Sequence, residues 1–465
     1  MTPKQAALPD DGDIARQRPE TGLTKHMSTI STSAFVQWFR AAAPYIHGFR
    51  DCTFVVAFGG EMVEDGKFIE LTHDLNLLAS VGVRLVLVHG ARPQIERELD
   101  LRGIEQTYSH TVRVTDAEAL ACAKQASGRL RVEIEALLSM GLPNSPMAGS
   151  EIRVASGNFV VARPRGVVDG VDMLYTGEVR RIEADAIRRR LDDNELVLIS
   201  PLGYSPTGEI FNLTLEDVAV ECAIALQADK LIFLTEKTGV TDRKGKLLRE
   251  LTVSGAQSIL KQGKKTDEFA MEYLPIVVKA CMAGVGRVHL VDRKLDGGLL
   301  LELFTREGVG TMISQDSLER LRQATIEDVG SILQLIEPLE AQGALIKRSR
   351  ELLEIEIDRF LVLEHDKLIV GCAALYPSRE DKAGELACLA VHPDHQNAGA
   401  GELLLREIEK RARKLKLDRL FVLTTVTAHW FIEHGFENAP LSLLPARKAA
   451  LYNYQRNSRV LQKTL

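Results

Sequence analysis

Residues 384–416 read GELACLAVHPDHQNAGAGELLLREIEKRARKLK, and this stretch decides the fold of the second half of the chain. Its apolar run Leu386–Val391 is short and is stopped by Pro393, which favours a buried strand over a helix. A glycine-containing loop, residues 396–401, follows, and apolar residues then recur at helical spacing. Glycines at the start of a helix let an anion approach the unpaired N–H groups of the first turn. The stretch therefore predicts a strand, a phosphate-binding loop and an amphipathic helix.

The pattern Gln-x-x-Gly-x-Gly at residues 396–401 resembles the acetyl-CoA pyrophosphate loop of the GNAT N-acetyltransferases, which hold CoA between two splayed parallel strands. A strand predicted at residues 419–425 and a helical segment ending in Gly435-Phe436 follow in the order of that family. The resemblance implies acetyl-CoA as co-substrate and no metal. The implied contacts to acetyl-CoA come from one strand and the loop: Cys388, Leu389, Val391, Gln396, Gly399 and Gly401.

Attack of an amine on a thioester requires a base and a proton for the leaving thiolate. The GNAT family often places a glutamate on the central strand, where it works through a water, and the resemblance implies Glu385 for this role. The alternative is that Glu385 lies in solvent at the strand end. Many relatives supply the proton from a tyrosine, but this chain has Trp430-Phe431 there. Thr424 or a neighbouring hydroxyl is the nearest substitute, and protonation by water stays open.

In the first half of the chain, apolar runs rich in β-formers alternate with helical patterns, which predicts an α/β fold with a mainly parallel sheet between helices. Loops at residues 59–61 and 89–93 follow predicted strands, where an open α/β sheet places ligands. Together with PIVVKACMAGVGRVHLVD at residues 275–292 and LLLELFTREGVGTMI at residues 299–313, residues 31–314 resemble the amino-acid kinase family, and within it the arginine-sensitive N-acetylglutamate kinases.

This half departs from the kinases at two loops. Those kinases end their first strand with Lys-x-Gly-Gly, whereas this chain has Ala57 in place of the lysine. Ala91 and Arg92 stand where the second loop of the kinases carries glycines. Because phosphoryl transfer relies on positioning and charge stabilisation, loss of the lysine is expected to abolish kinase activity.

The arginine-sensitive kinases bind their effector with a tyrosine of the N-terminal helix, a histidine, a glutamate and a glycine loop. Tyr45, His289, Glu302 and Gly308 match these positions, and a carboxylate pairs well with a guanidinium. The alternative is a core histidine and a solvated glutamate. The aromatic residues of the N-terminal helix, residues 35–49, either cover their own domain or join subunits, and the resemblance implies a homo-oligomer, a hexamer.

A substrate with two carboxylates requires cations, and Arg348 and Arg456, with Ser458 nearby, are predicted to hold it. The segments KRSR at residues 347–350 and LYNYQR at residues 451–456 resemble the bacterial N-acetylglutamate synthases. That resemblance covers nearly the whole chain and implies acetylation of L-glutamate, the first step of arginine biosynthesis, with feedback inhibition by L-arginine. Two alternatives stay open: a bifunctional synthase and kinase, and an arginine-binding regulator whose acetyltransferase domain is inactive or acts on another target.

Composition limits the partners of the chain. The 58 basic and 64 acidic residues give no strong attraction to nucleic acid or membrane, and no apolar stretch reaches membrane-spanning length. The six cysteines are scattered, as expected for reduced thiols in a cytoplasmic protein. The predicted organisation is a disordered leader (1–30), a kinase-like regulatory domain (31–314), a linker (315–322) and an acetyltransferase domain (323–465).

Overall fold

A computed structural model describes residues 32–263, 267–305, 307–315, 319–365, 368–396 and 399–465. The chain divides into two compact units, Met1–Gln315 and Asp316–Leu465. The leader predicted over residues 1–30 lies outside the described residues. None of the described helices combines the length and the apolar character that crossing a bilayer requires.

The first unit alternates strands and helices. Its strands are β1 (Thr53–Phe58), β2 (Arg84–His89), β3 (Tyr108–Ser109), β4 (Val112–Arg113), β5 (Arg153–Ser156), β6 (Val160–Pro164), β7 (Val167–Val168), β8 (Val171–Asp172), β9 (Gly177–Ile182), β10 (Glu195–Ile199), β11 (Leu202–Tyr204), β12 (Ile210–Asn212), β13 (Lys230–Thr235), β14 (Glu250–Thr252), β15 (Arg287–Asp292) and β16 (Thr311–Ser314). Its helices are α1 (Thr32–Phe49), α2 (Glu61–Glu64), α3 (Phe68–Ser80), α4 (Arg92–Leu101), α5 (Ala117–Leu138), α6 (Ala184–Asp192), α7 (Leu215–Leu226), α8 (Val253–Leu260), α9 (Glu268–Met282) and α10 (Gly298–Phe304).

The main sheet of this unit has, within the described residues, the order β14-β16-β15-β13-β1-β2-β10-β5. Its neighbouring strands are parallel except for β15 and β16, which are antiparallel. The central strands are buried on both faces, because apolar clusters lie above and below the sheet. This burial explains why their sequences are continuous apolar runs. The predicted, mainly parallel α/β sheet is confirmed.

The two halves of helix α1 differ in how far their apolar residues are buried. Its C-terminal part covers the unit's own core, because Ala42 and Phe49 are buried there. Phe35, Trp38 and Phe39 in its N-terminal part are each about half exposed, at 48%, 49% and 56%. The helix continues through Pro44. Its first half therefore presents an aromatic surface that the described residues of its own chain do not cover.

The second unit is built on one twisted sheet with helices on both faces. Its strands are β17 (Glu319–Gln323), β18 (Phe360–His365), β19 (Leu368–Ser378), β20 (Ala383–Val391), β21 (Arg419–Thr424), β22 (Glu437–Asn438) and β23 (Arg459–Thr464). Its helices are α11 (Val329–Ala341), α12 (Arg350–Glu356), α13 (Ala400–Lys414), α14 (Ala428–Glu433) and α15 (Ala446–Ala450). Single 3₁₀ turns lie at Ile326–Asp328, Ile357–Arg359, Pro393–His395 and Leu441–Leu443.

The strand order is β17-β18-β19-β20-β21-β23-β22, and β20 with β21 is the parallel pair among the described strands. The linker predicted over residues 315–322 is wrong from residue 319 onward, because residues 319–323 form β17 and pair with β18. Strand β17 contains one apolar residue, Leu321, so its sequence carried no strand pattern. After β17, Thr325 begins a 3₁₀ turn and forms a capping box with Asp328.

Candidate active site

The second unit contains a cleft where its two parallel strands separate. Strands β20 and β21 pair only from Ala383 to Glu385, opposite Arg419 to Phe421. Beyond this point both strands continue without pairing to each other, so backbone N–H and C=O groups of residues 386–391 face an opening. The opening has a volume of about 410 Å³. It is lined by Glu385, Cys388, Leu389, Val391, Gln396, Gly401, Thr424, Arg348, Arg456 and Ser458, all predicted from sequence.

A β-bulge in β20 turns this strand towards the cleft. Ala387 lies opposite Ala374 and Ala390 opposite Cys372, so two residues, Cys388 and Leu389, face the single residue between those partners. Cys388 has a φ of 53°, in the left-handed region. Its side chain packs with the α11 side of the sheet, whereas Leu389 packs with the α13 side. The bulge thus reverses the alternation of side chains within the segment predicted to meet the thioester.

Glu385 is the buried carboxylate of the cleft. It is 9% exposed, and its Oε1 lies 2.7 Å from Nζ of Lys448 on α15. The alternative in which Glu385 lies in solvent is therefore wrong. Sequence reasoning missed Lys448, because α15 is a short, polar helix whose place beside β20 depends on the fold of the C-terminal segment. The ion pair holds the carboxylate at the mouth of the separated strands.

Thr424 lies at the end of β21, across the cleft from Glu385. Its Oγ1 accepts a hydrogen bond from the backbone N–H of Thr427 at 3.0 Å and lies 3.0 Å from Oγ1 of Thr427. Thr427 also lines the cleft and was not singled out from sequence. The two hydroxyls form a short chain that can pass a proton into the cleft.

The two arginines of the cleft, unlike Lys448, donate to backbone oxygens. Arg456 donates from Nη2 to the backbone oxygens of Gly343 at 3.1 Å and Ala344 at 2.7 Å, while its buried Nε has no partner among the described residues. Arg348 donates from Nη1 to the backbone oxygen of Ile346 at 3.2 Å. Neither guanidinium forms an ion pair with a described residue. Two half-buried positive charges therefore face the same cleft without a carboxylate of their own.

Gln396, Gly399 and Gly401 are described residues of the predicted pyrophosphate loop before and at the start of α13. Gly399, with a φ of 87°, caps α13, although it does not line the cleft. A Cβ at Gly401 would lie 3.2 Å from the Trp430 ring, so a side chain there would press against the wall of the cradle. Gln396 donates from Nε2 to the Val391 backbone oxygen at 3.1 Å, which ties the loop to β20. The first-turn N–H groups of α13 are left to bind an anion.

In the first unit, two of the predicted effector residues, His289 of β15 and Glu302 of α10, form a buried cluster. Nδ1 of His289 lies 2.7 Å from Oε1 of Glu302, and Oε2 of Glu302 accepts the N–H groups of Val309 and Gly310, each at 2.8 Å. Lys230, missed from sequence, has its Nζ 3.5 Å from Nε2 of His289. The alternative of a solvated Glu302 is wrong, since this side chain is buried.

Electrostatics explain how this cluster is charged. Burial, reinforced by the nearby Lys230 cation, lowers the pKa of His289 to about 4. Burial alone would raise the pKa of Glu302, but hydrogen bonds from His289 and the two backbone N–H groups outweigh it and lower that pKa. At neutral pH a neutral imidazole therefore donates from Nδ1 to an ionised carboxylate.

Gly308 and Tyr45 border the cluster in different ways. A Cβ at Gly308, whose φ is 60°, would lie 2.5 Å from Oε2 of Glu302, so this position requires glycine. Tyr45 reaches the cluster through Phe49, whose ring centroid lies 6.1 Å from that of Tyr45 and 5.3 Å from that of Phe304. Tyr45 therefore lies one helical turn before Phe49, whose ring packs against Phe304 of α10.

A second cleft in the first unit, about 460 Å³, lies at the ends of β1 and β2. It contains Gly59, Gly60, Ala91 and Arg92, and five glutamates: Glu61, Glu216, Glu236, Glu268 and Glu272. Its cations are paired with carboxylates: Arg92 and Arg113 with Glu96, Lys237 with Asp267, and Arg293 with Asp65 and Glu236. Each cation that lines this cleft therefore has at least one carboxylate partner among the described residues.

Comparison with known proteins agrees with this geometry. Residues 53–292 match the amino acid kinase family, and residues 356–438 match the acetyltransferase (GNAT) domain. The amino-acid acetyltransferase of Ralstonia nicotianae is 54% identical over 437 residues, which are 94% of this chain and 97% of the relative. The chain belongs to the amino-acid acetyltransferases. The family member of Azotobacter vinelandii is also 54% identical, over 93% of this chain and 99% of its own.

Solved structures extend the agreement to this acetyltransferase's fold. The N-acetylglutamate synthase of Neisseria gonorrhoeae, complexed with coenzyme A and L-arginine, is 40% identical with a TM-score of 0.84, covering 93% of this chain and 99% of its own. The same synthase complexed with coenzyme A and N-acetylglutamate gives 41% identity and a TM-score of 0.59 over the same shares. The fold and the family predicted from sequence are confirmed.

Proposed function

We propose that this amino-acid acetyltransferase transfers the acetyl group of acetyl-CoA to the α-amine of L-glutamate, the first step of arginine biosynthesis. The observation that carries the proposal is the cleft, where one buried carboxylate faces two guanidiniums that no described carboxylate neutralises. L-glutamate supplies one ammonium and two carboxylates. Its charges thus complement the cleft, and the relative of Neisseria gonorrhoeae was solved with N-acetylglutamate.

In the proposed reaction, Glu385 accepts a proton from the α-ammonium of glutamate, directly or through a water. The neutral amine then forms a bond to the thioester carbonyl carbon, and unpaired N–H groups of β20 near the bulge face the developing oxyanion. The attacking nitrogen then loses its second proton to water, and collapse breaks the carbon–sulfur bond and releases the CoA thiolate. We propose that Thr424 gives the thiolate a proton and regains one from water through Thr427, whose hydroxyl lies 3.0 Å away. The products are N-acetylglutamate and CoA.

Arg348 and Arg456 are proposed to hold the two carboxylates, with Ser458 at the rim. Each guanidinium is fixed by backbone carbonyls and keeps donors for bidentate pairing. Lys448 adds a third cation, which balances Glu385 before the substrate enters.

The assay for this proposal measures CoA release with glutamate, aspartate and ornithine at equal concentrations. Glutamate is expected to give the highest kcat/KM, because the carboxylates of aspartate are one methylene closer together and ornithine carries a cation in place of the second carboxylate. Equal turnover of ornithine and glutamate would contradict the assignment. Failure with all three amino acids would favour the rival in which the acetyltransferase unit is inactive or acts on another target.

The first unit is proposed to bind L-arginine as a feedback inhibitor through Tyr45, His289, Glu302 and Gly308. An ionised, buried Glu302 suits a guanidinium, and Lys230 beside His289 suits the α-carboxylate of an amino acid. The relative of Neisseria gonorrhoeae was solved with L-arginine. An inhibitor of this kind acts only through a difference in affinity between two states of the enzyme.

The exposed aromatic half of α1 supports the proposal of a homo-oligomer, a hexamer. A contiguous apolar patch on a surface commonly marks an interface, and Phe35, Trp38 and Phe39 form one here. Deletion through Phe49 would also remove core packing, so substitution is the cleaner test. Trp38→Ser with Phe39→Ser is expected to lower the oligomer size in sedimentation, whereas Val132→Ser, at an exposed apolar residue of α5, should not. Unchanged sedimentation of the double variant would assign the patch another role.

A bifunctional synthase and kinase is the weaker candidate. Ala57 replaces the lysine of the kinases, and the cleft of the first unit holds five glutamates with its cations already paired. ATP-dependent phosphorylation of N-acetylglutamate is therefore expected to be absent.

We also place the enzyme in the cytoplasm, because its six cysteines are unpaired thiols and five of them are buried.

A further inference from the structure

Three potential metal ligands meet at the edge of the acetyltransferase sheet, outside the acetyl-transfer cleft. Glu319 of β17 and His365 of β18 are direct partners in the antiparallel register. His395 ends the 3₁₀ turn that follows β20, one residue before Gln396 of the pyrophosphate loop. None of the three lines the cleft. They come from three separate segments, so only the tertiary fold brings them together.

Their geometry suits a shared ligand. One donor atom from each side chain lies within 4.8 Å of the other two, and this is the one such group within the described residues. The ring centroids of His365 and His395 are 5.0 Å apart with an interplanar angle of 61°, so the rings meet edge to face. Both histidines are 8% exposed. Two buried histidines therefore lie beside one carboxylate at the edge of the sheet.

The donor set matches the preference of zinc. Zn²⁺ binds imidazole nitrogens and carboxylate oxygens at about 2.0–2.2 Å in a tetrahedral arrangement, which separates the donors by about 3.3 Å. Side-chain rotations can close the remaining distance between donors here. Imidazole with carboxylate favours Zn²⁺ over Mg²⁺ or Ca²⁺, which prefer all-oxygen sites.

We propose that Glu319, His365 and His395 bind one zinc ion, with a water in the fourth position. The ion would join the edge strands β17 and β18 to the segment that leads into the pyrophosphate loop. Its role is structural, because the site lies outside the cleft that holds Glu385 and Thr424. A bound ion would fix the start of the loop, and the acetyltransferase unit would then melt at a higher temperature with zinc than without it.

The test uses full-length protein without a histidine tag, stripped with a chelator and dialysed. Calorimetric titration with ZnSO₄ is expected to show about one tight site per chain. His365→Gln with His395→Gln should remove that site, and Glu319→Gln should weaken it at least tenfold. His429→Gln is the matched control, because His429 is an exposed histidine of the same unit that pairs with Glu433. Circular dichroism would establish that each variant is folded.

Two further measurements distinguish a specific zinc site from nonspecific metal binding. Co²⁺ in place of Zn²⁺ should give the visible absorption of a tetrahedral complex in the wild type and in His429→Gln, but not in the double variant. Zinc should raise the melting temperature of those same two proteins. Equal zinc binding by the wild type and the double variant would overturn the proposal, and so would a stripped wild type that takes up no zinc. The three side chains would then be a hydrogen-bonded cluster only.

Discussion

The two clefts of this enzyme have similar volumes but differ in whether their arginines are paired with carboxylates. The cleft of the kinase-like unit is the larger, at about 460 Å³ against 410 Å³. Its arginines and lysine are paired with carboxylates of the same unit. In the acetyltransferase cleft, Arg348 and Arg456 are held by backbone carbonyls and keep their charge for a ligand. Cleft volume therefore does not distinguish the two sites, whereas unneutralised charge marks the cleft that we propose binds glutamate.

The largest expected effect comes from the carboxylate of the acetyltransferase cleft. Glu385→Gln keeps the shape of the side chain but removes the base, so kcat should fall by about 10²–10⁴-fold. Acetyl-CoA binding, measured by calorimetry, should stay unchanged. Glu380→Gln, in the exposed turn before the same strand, is the control. Near-normal turnover of Glu385→Gln at saturating glutamate would show that the proton leaves by another route.

The unneutralised arginines are expected to act on glutamate affinity. Arg348→Ala or Arg456→Ala should raise the KM for glutamate about 10- to 150-fold, since a hydrogen bond to a charged group contributes about 1.5–3 kcal/mol. Arg350→Ala, at a nearby exposed arginine that pairs with Glu354, should leave this KM unchanged. Steady-state kinetics with glutamate and acetyl-CoA varied in turn would test this. Equal effects on both substrates would break the comparison between the clefts.

Arginine inhibition tests the buried carboxylate of the kinase-like unit. Glu302→Gln keeps a side chain that accepts from Val309 and Gly310 but loses the charge that attracts a guanidinium. The arginine concentration for half-inhibition should rise at least tenfold, while kcat without arginine stays the same. Glu307→Gln, at an exposed position of the same segment, is the control. Unaltered inhibition would place the effector elsewhere.

The smallest effect is expected for Arg322 of the acetyltransferase unit, because its charge is already paired with Asp328. Arg322 donates to Asp328 at 2.7 and 2.8 Å, and this pairing, against the opposing effect of burial, lowers the pKa of Asp328 to about 2. The folded state therefore favours the ionised carboxylate, and this contribution is present above pH 4 and lost as the pH falls towards 2. Arg322→Ala should lower the free energy of unfolding at pH 7 but less so near pH 3.

Urea unfolding of a Trp38→Phe background, followed by Trp430 fluorescence, would measure this in the acetyltransferase unit. The KM for glutamate should not change. A raised KM would mean that a paired arginine also serves the substrate, which would weaken the distinction drawn between the two clefts.

The sequence predicted those parts of the molecule that local patterns specify. Continuous apolar runs predicted the central strands, and the glycine loop predicted the start of α13. It could not predict Lys448 beside Glu385 or Lys230 beside His289, because these pairs join residues 63 and 59 positions apart (448 − 385; 289 − 230). The bulge at Cys388 was hidden as well, since its left-handed backbone carries no glycine.

The position of β23 governs when the enzyme can become active during synthesis. This strand, residues 459–464, lies between β21 and β22, although it is the last strand of the chain. The strand set of the acetyltransferase sheet therefore cannot be completed while residues 459–464 are still inside the ribosome. The kinase-like unit, complete at residue 315, can fold first, as N-terminal domains generally do. The proposed effector unit would thus be ready to bind arginine before the chain can acetylate its first substrate.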